Sequence, residues 1–171
     1  MAAIVLASTA SVAATSRAAY RWLHAPDGAR TSAAAADEAA AEQKINPGLI
    51  WQVITVREVY GPDFTFVDVG PQGDSPGDYG VFRDPLKTAN GNNHVGVIHV
   101  QCMEAYASQC RGSARLAGRG QITFDGVTPS RVDPDRFAIT GGTGEFVDVG
   151  GVMKVEFPSG SYALLTFTLT H

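Results

Sequence analysis

Two acidic residues, Glu58 and Asp84, are the side chains of this sequence best placed to do chemistry. Glu58 lies in a run of β-branched and aromatic residues and Asp84 lies two residues after such a run, and alternate side chains of a strand point to the same side. Glu58 then shares a face with Val56, and Asp84 shares a face with Phe82. A carboxylate held among apolar side chains can stabilise a cationic or polarised intermediate. The ordinary alternatives are a solvated charge at a strand end for Glu58 and a turn-starting Asp before Pro85 for Asp84.

The runs of residues around these acids indicate an all-β domain. The chain of 171 residues has 19 Gly, 9 Pro and 44% apolar residues, enough for one domain with a core. Eight or nine strand-like runs alternate with turn residues, and no long helical pattern separates them. We predict a single eight-stranded antiparallel β-barrel, with a two-sheet sandwich as the alternative. The runs are Leu49–Tyr60, Phe64–Val69, Tyr79–Phe82, Val95–Met103, Ser113–Ala117, Gln121–Phe124, Arg136–Thr140, Val152–Phe157 and Tyr162–Thr170.

The charge distribution argues against two classes of partner. The net charge is −4, and Lys and Arg are scattered along the chain, so the sequence shows neither a nucleic-acid-binding stripe nor a polybasic membrane patch. No apolar run approaches the roughly 20 residues that a membrane helix needs. We therefore expect neither nucleic acid nor a membrane as partner, while a homo-oligomer is compatible with the sequence.

Residues 1–45 differ in composition from the rest of the chain. They are rich in Ala, Ser and Thr, and a short apolar run near the start ends in small residues around Ala13. This is typical of a signal peptide, although no Lys or Arg precedes the run; a transit peptide is the alternative, because no acid occurs before Asp27. We predict a leader and a flexible Ala-rich tail at 1–45 and a barrel domain at 46–171. The protein would then be secreted, or plastid-located if the leader is a transit peptide.

The two cysteines, Cys102 and Cys110, are separated by seven residues. This spacing suits two facing positions of a hairpin, so we favour a disulfide over a pair of reduced thiols. A metal site is not expected, because the cysteines and the four histidines show no ligand spacing. The histidines are His24, His94, His99 and His171.

A glycine-rich segment, FAITGGTGEFVDVGG, occupies Phe137–Gly151 and contains Gly141, Gly142 and Gly144. A phosphate-binding loop would need a Gly-Lys-Ser/Thr sequence and a following helix, and neither is present. We therefore interpret these three glycines as structural, forming a tight connection between two strands.

The motif AITGGTG followed by an aromatic residue resembles the signature of the allene oxide cyclase and dirigent-protein barrels. GDSPGDYGVFRDPL at 73–86 and GQITFDG at 120–126 are similar to segments of small bacterial members, which tend to be secreted and to carry a similar cysteine pair. The resemblance covers the whole β region and implies an eight-stranded barrel. It implies little about chemistry, because this group includes cyclases, dirigent proteins and members of unknown role.

The resemblance also implies a pocket inside the barrel. In allene oxide cyclases a pocket glutamate stabilises developing positive charge, and Glu58 matches its position. Asp84 lies where the cyclases have an asparagine and where dirigent proteins commonly have an acid. The remaining pocket positions correspond to Tyr60, Phe82, Cys102 and Thr128. Tyr60 and Thr128 differ from the asparagine and tyrosine of the cyclases, which argues against allene oxide itself as the substrate.

Together these features predict a barrel that binds a small, largely apolar molecule and guides its cyclisation or coupling stereoselectively. Confinement and the two acids, Glu58 and Asp84, would supply the catalysis, and we expect no cofactor. The substrate could be an oxylipin-like, phenolic or polyketide-type molecule. The alternative is a secreted barrel that binds a ligand or partner without catalysis.

Overall fold

Short apolar runs separated by turns fold the described part of the chain into nine β-strands. The computed structural model describes residues 47–73, 75–105, 107–128 and 134–171, so the leader and tail predicted at 1–45 lie outside the described residues. A 3-10 turn at Pro47–Leu49 precedes the strands, and no helix in these ranges is long and apolar enough to cross a bilayer. The strands are β1 (Ile50–Val59), β2 (Phe64–Val67), β3 (Tyr79–Thr88), β4 (His94–Met103), β5 (Ser108–Leu116), β6 (Gly120–Thr128), β7 (Asp135–Gly144), β8 (Gly150–Ser159) and β9 (Tyr162–Thr170).

The nine strands form one antiparallel sheet that closes on itself. Their order is β1–β9–β8–β7–β6–β5–β4–β3–β2, and β1 also pairs with β3. β1 runs along the C-terminal half of β3, with Glu58 opposite Leu86, while β2 runs along its N-terminal half, with Phe64 opposite Phe82. β2 therefore continues the path of β1 after a break at Gly61. The predicted eight-stranded antiparallel barrel is confirmed, with β2 as one additional short strand.

The inward faces of the strands form the core. β9 shows the alternation clearly, since Ala163, Leu165, Phe167 and Leu169 are buried and the residues between them are half-buried. One end of the barrel is formed where β1, β4, β6 and β8 finish and β3, β5, β7 and β9 begin; we call it the acidic end. At the opposite end, the turn between β7 and β8 buries the side chain of Phe146.

β3 is longer than its sequence suggests, because it continues through Asp84 and Pro85. A proline cannot donate a hydrogen bond to a neighbouring strand, so the sequence Asp84-Pro85 predicts the end of a strand. The backbone N–H of Arg83 donates to the carbonyl oxygen of Asp63 (3.0 Å). The backbone N–H groups of alternate β3 residues, counted from Arg83, therefore point toward β1 and β2. Pro85 lies two residues further and faces the break between β1 and β2, where no donor is required. The interpretation of Asp84 as a turn residue is therefore wrong.

Gly141, Gly142 and Gly144 lie inside β7 rather than in the predicted connection, and Gly150 and Gly151 begin β8. The connection between β7 and β8 consists of residues 145–149, one position after Gly144. A Cβ atom at Gly142 would lie 2.5 Å from the carbonyl oxygen of Gln121 and 2.6 Å from the Cβ of Phe146, and Gly144 has a φ of 67°. Larger residues would therefore push β6 and the turn away from β7.

The loop between β2 and β3 is organised around the buried Asp78. Its carboxylate accepts hydrogen bonds from the backbone N–H groups of Val69 (2.7 Å) and Ser75 (2.7 Å), and from the Ser75 hydroxyl (3.2 Å). The Val69 and Ser75 backbone N–H groups hold the pKa of this carboxyl below its usual value. Asp78 thus has a structural role at the acidic end.

Candidate functional site

Glu58 lies on the inward face of β1, with only 4% of its surface exposed. Its strand neighbours are Leu86 on β3 and Ala163 on β9, both apolar, so the carboxyl loses most of its contact with water. Burial, and secondarily the negative charge of Asp84, raises the pKa of Glu58 to about 8. Its Oε1 atom accepts no hydrogen bond within the described part of the chain. Near neutral pH Glu58 is therefore mainly a protonated acid, not the solvated strand-end charge of the alternative interpretation.

Asp84 lies on the inward face of β3 and is fully buried. Its Oδ1 atom accepts a hydrogen bond of 2.7 Å from the backbone N–H of Gly61, at the break between β1 and β2. A Cβ atom at position 61 would lie 3.0 Å from that oxygen, so glycine leaves room for the contact. The break in the strand therefore supplies the donor that holds the Asp84 carboxylate in place.

A third acid, Asp135, lies at the same end of the barrel and is 8% exposed. It begins β7, whose inward face continues with Phe137 and Ile139. Sequence reasoning missed this residue, although the alternation of Asp135 with Phe137 and Ile139 carries the signal. Asp135 is thus a further buried acid of the barrel, besides Glu58, Asp84 and the loop residue Asp78.

Two aromatic residues, Phe82 and Tyr60, lie two positions from Asp84 and Glu58 in the sequence. Phe82 is buried on β3, opposite Val100 of β4 and Phe64 of β2. Tyr60 follows β1, packs against the core, and its backbone N–H donates to the carbonyl oxygen of Ser161 (3.2 Å). Phe82 and Tyr60 therefore lie on the two elements that carry Asp84 and Glu58.

Cys102 and Cys110 face each other on β4 and β5 and form a disulfide with an S–S distance of 2.03 Å. Both are buried, and Cys102 lies opposite Gly80 of β3. Cys102 is therefore not a free pocket thiol, and any contact with a ligand would involve the disulfide.

Thr128 ends β6 and is half-buried, opposite Ser108 of β5. Since Cys110 pairs with Gly126, Thr128 lies diagonally beside the disulfide. The predicted pocket positions thus fall into two groups, and Cys102 lies opposite Gly80, four residues from Asp84 along β3. Glu58, Tyr60, Phe82 and Asp84 lie along the β1–β3 seam, and Cys102, Cys110 and Thr128 lie across β4–β6.

The described ranges show no candidate metal centre. They contain no group of three or more His, Cys, Asp or Glu side chains arranged to hold a metal ion. The arrangement at the acidic end can instead donate a proton from Glu58 and place a fixed negative charge at Asp84, in apolar surroundings.

Solved structures of other proteins share this barrel. Pyocyanin demethylase aligns with a TM-score of 0.59 and 25% identity over 70% of this chain and 100% of its own. The pterocarpan synthase dirigent protein PsPTS1 aligns with a TM-score of 0.51 and 17% identity over 70% of this chain and 94% of its own. The chain thus shares a barrel fold with both of these proteins.

A third similar structure is a cyclase described as a nonspecific heme-binding enzyme that catalyses a cycloaddition during neoabyssomicin biosynthesis. It aligns with a TM-score of 0.55 and 15% identity over 100% of this chain and 80% of its own. No protein-family model and no curated protein matches the sequence. The likeness to dirigent and cyclase structures therefore rests on the three-dimensional fold.

Proposed function

We propose that the acidic end of the barrel binds a small, largely apolar molecule and guides its cyclisation or stereoselective coupling. The observation that carries this proposal is the pair of buried acids, Glu58 and Asp84, on adjoining strands. Burying two carboxyl groups together disfavours the fold, so such pairs are more common at functional sites than in structural cores.

The two acids would have different roles because their surroundings differ. Glu58, with a pKa of about 8, retains its proton near neutral pH and can donate it, or a hydrogen bond, to an oxygen or nitrogen atom of the bound molecule. Asp84, held by the Gly61 N–H, would stabilise positive charge that develops as bonds rearrange. Proximity and electrostatics would suffice for the reaction, without a cofactor.

Binding would depend on the remaining pocket residues. Phe82 and Tyr60 offer aromatic surface beside the acids, and the Thr128 hydroxyl offers a hydrogen bond at the end of β6. The Cys102–Cys110 disulfide would add an apolar, polarisable wall. These contacts suit an unsaturated ring system better than a strongly charged molecule.

The similar structures support a role in small-molecule chemistry. One is named as a demethylase of pyocyanin, one as a pterocarpan synthase and one as a cyclase. The pyocyanin demethylase likeness, at 25% identity, makes pyocyanin a reasonable first compound to test. A non-catalytic secreted barrel that binds a ligand or partner is the second candidate, since the same apolar surroundings would hold a ligand without turnover.

Two reactions test the proposal. In the first, a laccase oxidises coniferyl alcohol and chiral chromatography measures the enantiomeric excess of the dimers with and without the protein. In the second, mass spectrometry follows pyocyanin during incubation with the protein. We expect either an enantiomeric excess of the coniferyl alcohol dimers or a conversion of pyocyanin that requires the protein. Either effect should be smaller with Glu58→Gln.

The non-catalytic alternative predicts a different outcome. Nile red fluorescence would then report binding that weakens in Phe82→Leu, while neither reaction would respond to the protein. Equal product distributions for the native protein and Glu58→Gln would contradict a catalytic role for this acid.

A further inference from the structure

The outer face of β3, β4 and β5 carries basic side chains and no acidic ones. Four cations point outward from β3 and β5: Arg83, Lys87, Arg111 and Arg115. His99 lies between them on β4. This concentration contrasts with the net charge of −4 of the whole chain, in which Lys and Arg are scattered. We call this surface the basic stripe.

The strand register gives the spacing of the stripe. Arg83 lies opposite His99, which lies opposite Ser113, and Arg111 and Arg115 are each two residues from Ser113. With strands about 4.8 Å apart and about 3.4 Å per residue, Arg83 is roughly 12 Å from both Arg111 and Arg115 at the Cα level. Lys87 lies four residues beyond Arg83 on β3, so the array of cations extends for about 20 Å along the strands. The cations therefore form an elongated array.

Internal ion pairs do not neutralise the stripe. Arg83 contacts Asp63 at 3.3 Å, but both side chains are more than half exposed, so this pair is weak. Arg111 and Arg115 form no ion pair with any residue of the described ranges. Asp125 on β6 lies opposite Arg111, and its carboxylate accepts a hydrogen bond from the Gln109 side-chain amide.

A shallow depression of about 720 Å³ lies beside the stripe on the same outer face. Its lining combines apolar groups, among them Val81 and Val100, with the polar side chains of His99, Gln101, Arg111, Ser113, Thr123, Asp125 and Thr140. The polar groups can form hydrogen bonds with the hydroxyl groups of a ligand. The depression is open to solvent, so it could hold part of a long chain that continues across the barrel.

We propose that the basic stripe binds an acidic polysaccharide, with carboxylate groups on the arginines and sugar hydroxyls in the depression. Arginine suits carboxylate recognition because its guanidinium group donates two parallel hydrogen bonds. The aromatic rings that line the depression, Phe82 and Phe124, are buried, so the depression offers no exposed platform on which nucleic-acid bases could stack. The disulfide also fits an oxidising compartment, where extracellular polysaccharides occur.

Binding to three polymers tests the proposal. Biolayer interferometry measures the affinity of the protein for polygalacturonate, for neutral dextran and for single-stranded DNA at about 50 mM salt. We expect binding to polygalacturonate that exceeds binding to both other polymers and weakens as salt increases. Arg111→Gln/Arg115→Gln should weaken it at least tenfold, whereas Arg111→Lys/Arg115→Lys should retain much of it.

A matched control comes from the far side of the barrel. Lys154 on β8 is partly exposed and pairs with Glu156 at 3.1 Å, so Lys154→Gln also removes a positive charge, but away from the stripe. We expect Lys154→Gln to change the affinity less than twofold. Equal effects of Lys154→Gln and Arg115→Gln, no preference for polygalacturonate over dextran, or tighter binding to DNA would each overturn the proposal.

Discussion

Glu58 on β1 and Asp84 on β3 lie diagonally across the seam that closes the barrel. Glu58 pairs with Leu86, two residues beyond Asp84 on the same inward face. Because the pairing of β1 with β3 closes the sheet, closure of the barrel is what brings the two acids together. The charge of Asp84 then adds to burial in raising the pKa of Glu58 to about 8.

The first prediction concerns stability and follows from this pKa. The folded pKa of Glu58 is raised above its ordinary value of 4.5, so below about pH 4.5 the carboxyl is protonated in both states and costs nothing. Between about pH 4.5 and 8 the unfolded state loses the proton first, and the fold loses stability progressively, on the order of 3–5 kcal/mol in all. We expect Glu58→Gln to raise the melting temperature at pH 8 and to change it little at pH 4.

Melting curves from pH 4 to 9 measure this difference. Glu156→Gln is a suitable control, because Glu156 is a partly exposed glutamate on β8. If the melting temperatures of Glu58→Gln and the native protein differ by the same amount from pH 4 to 9, Glu58 ionises in the folded protein as it does in solution.

The second prediction concerns the pH dependence of any turnover found with the substrates above. If protonated Glu58 is the proton donor, the rate should fall above about pH 8, where the carboxyl ionises. Glu58→Gln should reduce the rate on the order of tenfold to a thousandfold, the usual cost of removing one preorganised group. Asp84→Asn should reduce it less, because the amide keeps the shape of the side chain and its oxygen can still accept the hydrogen bond from the Gly61 N–H.

Rates measured from pH 5 to 10 for the native protein and both variants check this. Melting curves of the same samples exclude misfolding as the cause of a loss. A rate that increases through pH 8 in the native protein would show that ionised Glu58 is the active form.

The third prediction concerns the break between β1 and β2. Gly61→Ala would place a Cβ atom 3.0 Å from the Asp84 Oδ1 atom, so the carboxylate or the backbone must move. We expect a loss of turnover and a modest loss of stability, about 1–2 kcal/mol. Gly160→Ala is the matched control, because a Cβ atom there meets no atom within 4 Å. Similar effects of the two alanines would indicate that only the flexibility of glycine matters at position 61.

Much of the fold could be predicted from the sequence because hydrophobic alternation is strong in β1, β4 and β9. The same principle placed Glu58 on an inward face beside Val56. Hydrophobic alternation did not predict the first half of β5, where the inward positions are Cys110 and Gly112 and their neighbours are polar. There the strand is held by pairing with β4 and β6, which is a tertiary effect and leaves no local pattern.

The parts of the site that depend on long-range contacts could not be predicted. Asp84 looks like a turn residue before Pro85, and only the break opposite it in the β1–β2 path explains why the strand continues. The basic stripe was hidden for a related reason. Arg83 and Arg111 are 28 positions apart in the sequence, and the strand register alone brings them to the same face.

The last prediction concerns the disulfide between Cys102 and Cys110. We expect that protein unfolded in guanidinium without reductant will not react with iodoacetamide, and that reduction beforehand will add two labels by intact-mass analysis. Unfolding in guanidinium is needed because both cysteines are buried and would react slowly in the native protein. Cys102→Ala/Cys110→Ala should lower the free energy of unfolding by about 2–3 kcal/mol, the size expected for closing so short a loop. Two labels without reduction, in protein purified from an oxidising compartment, would show that the pair is reduced and that Cys102 is a thiol at the acidic end.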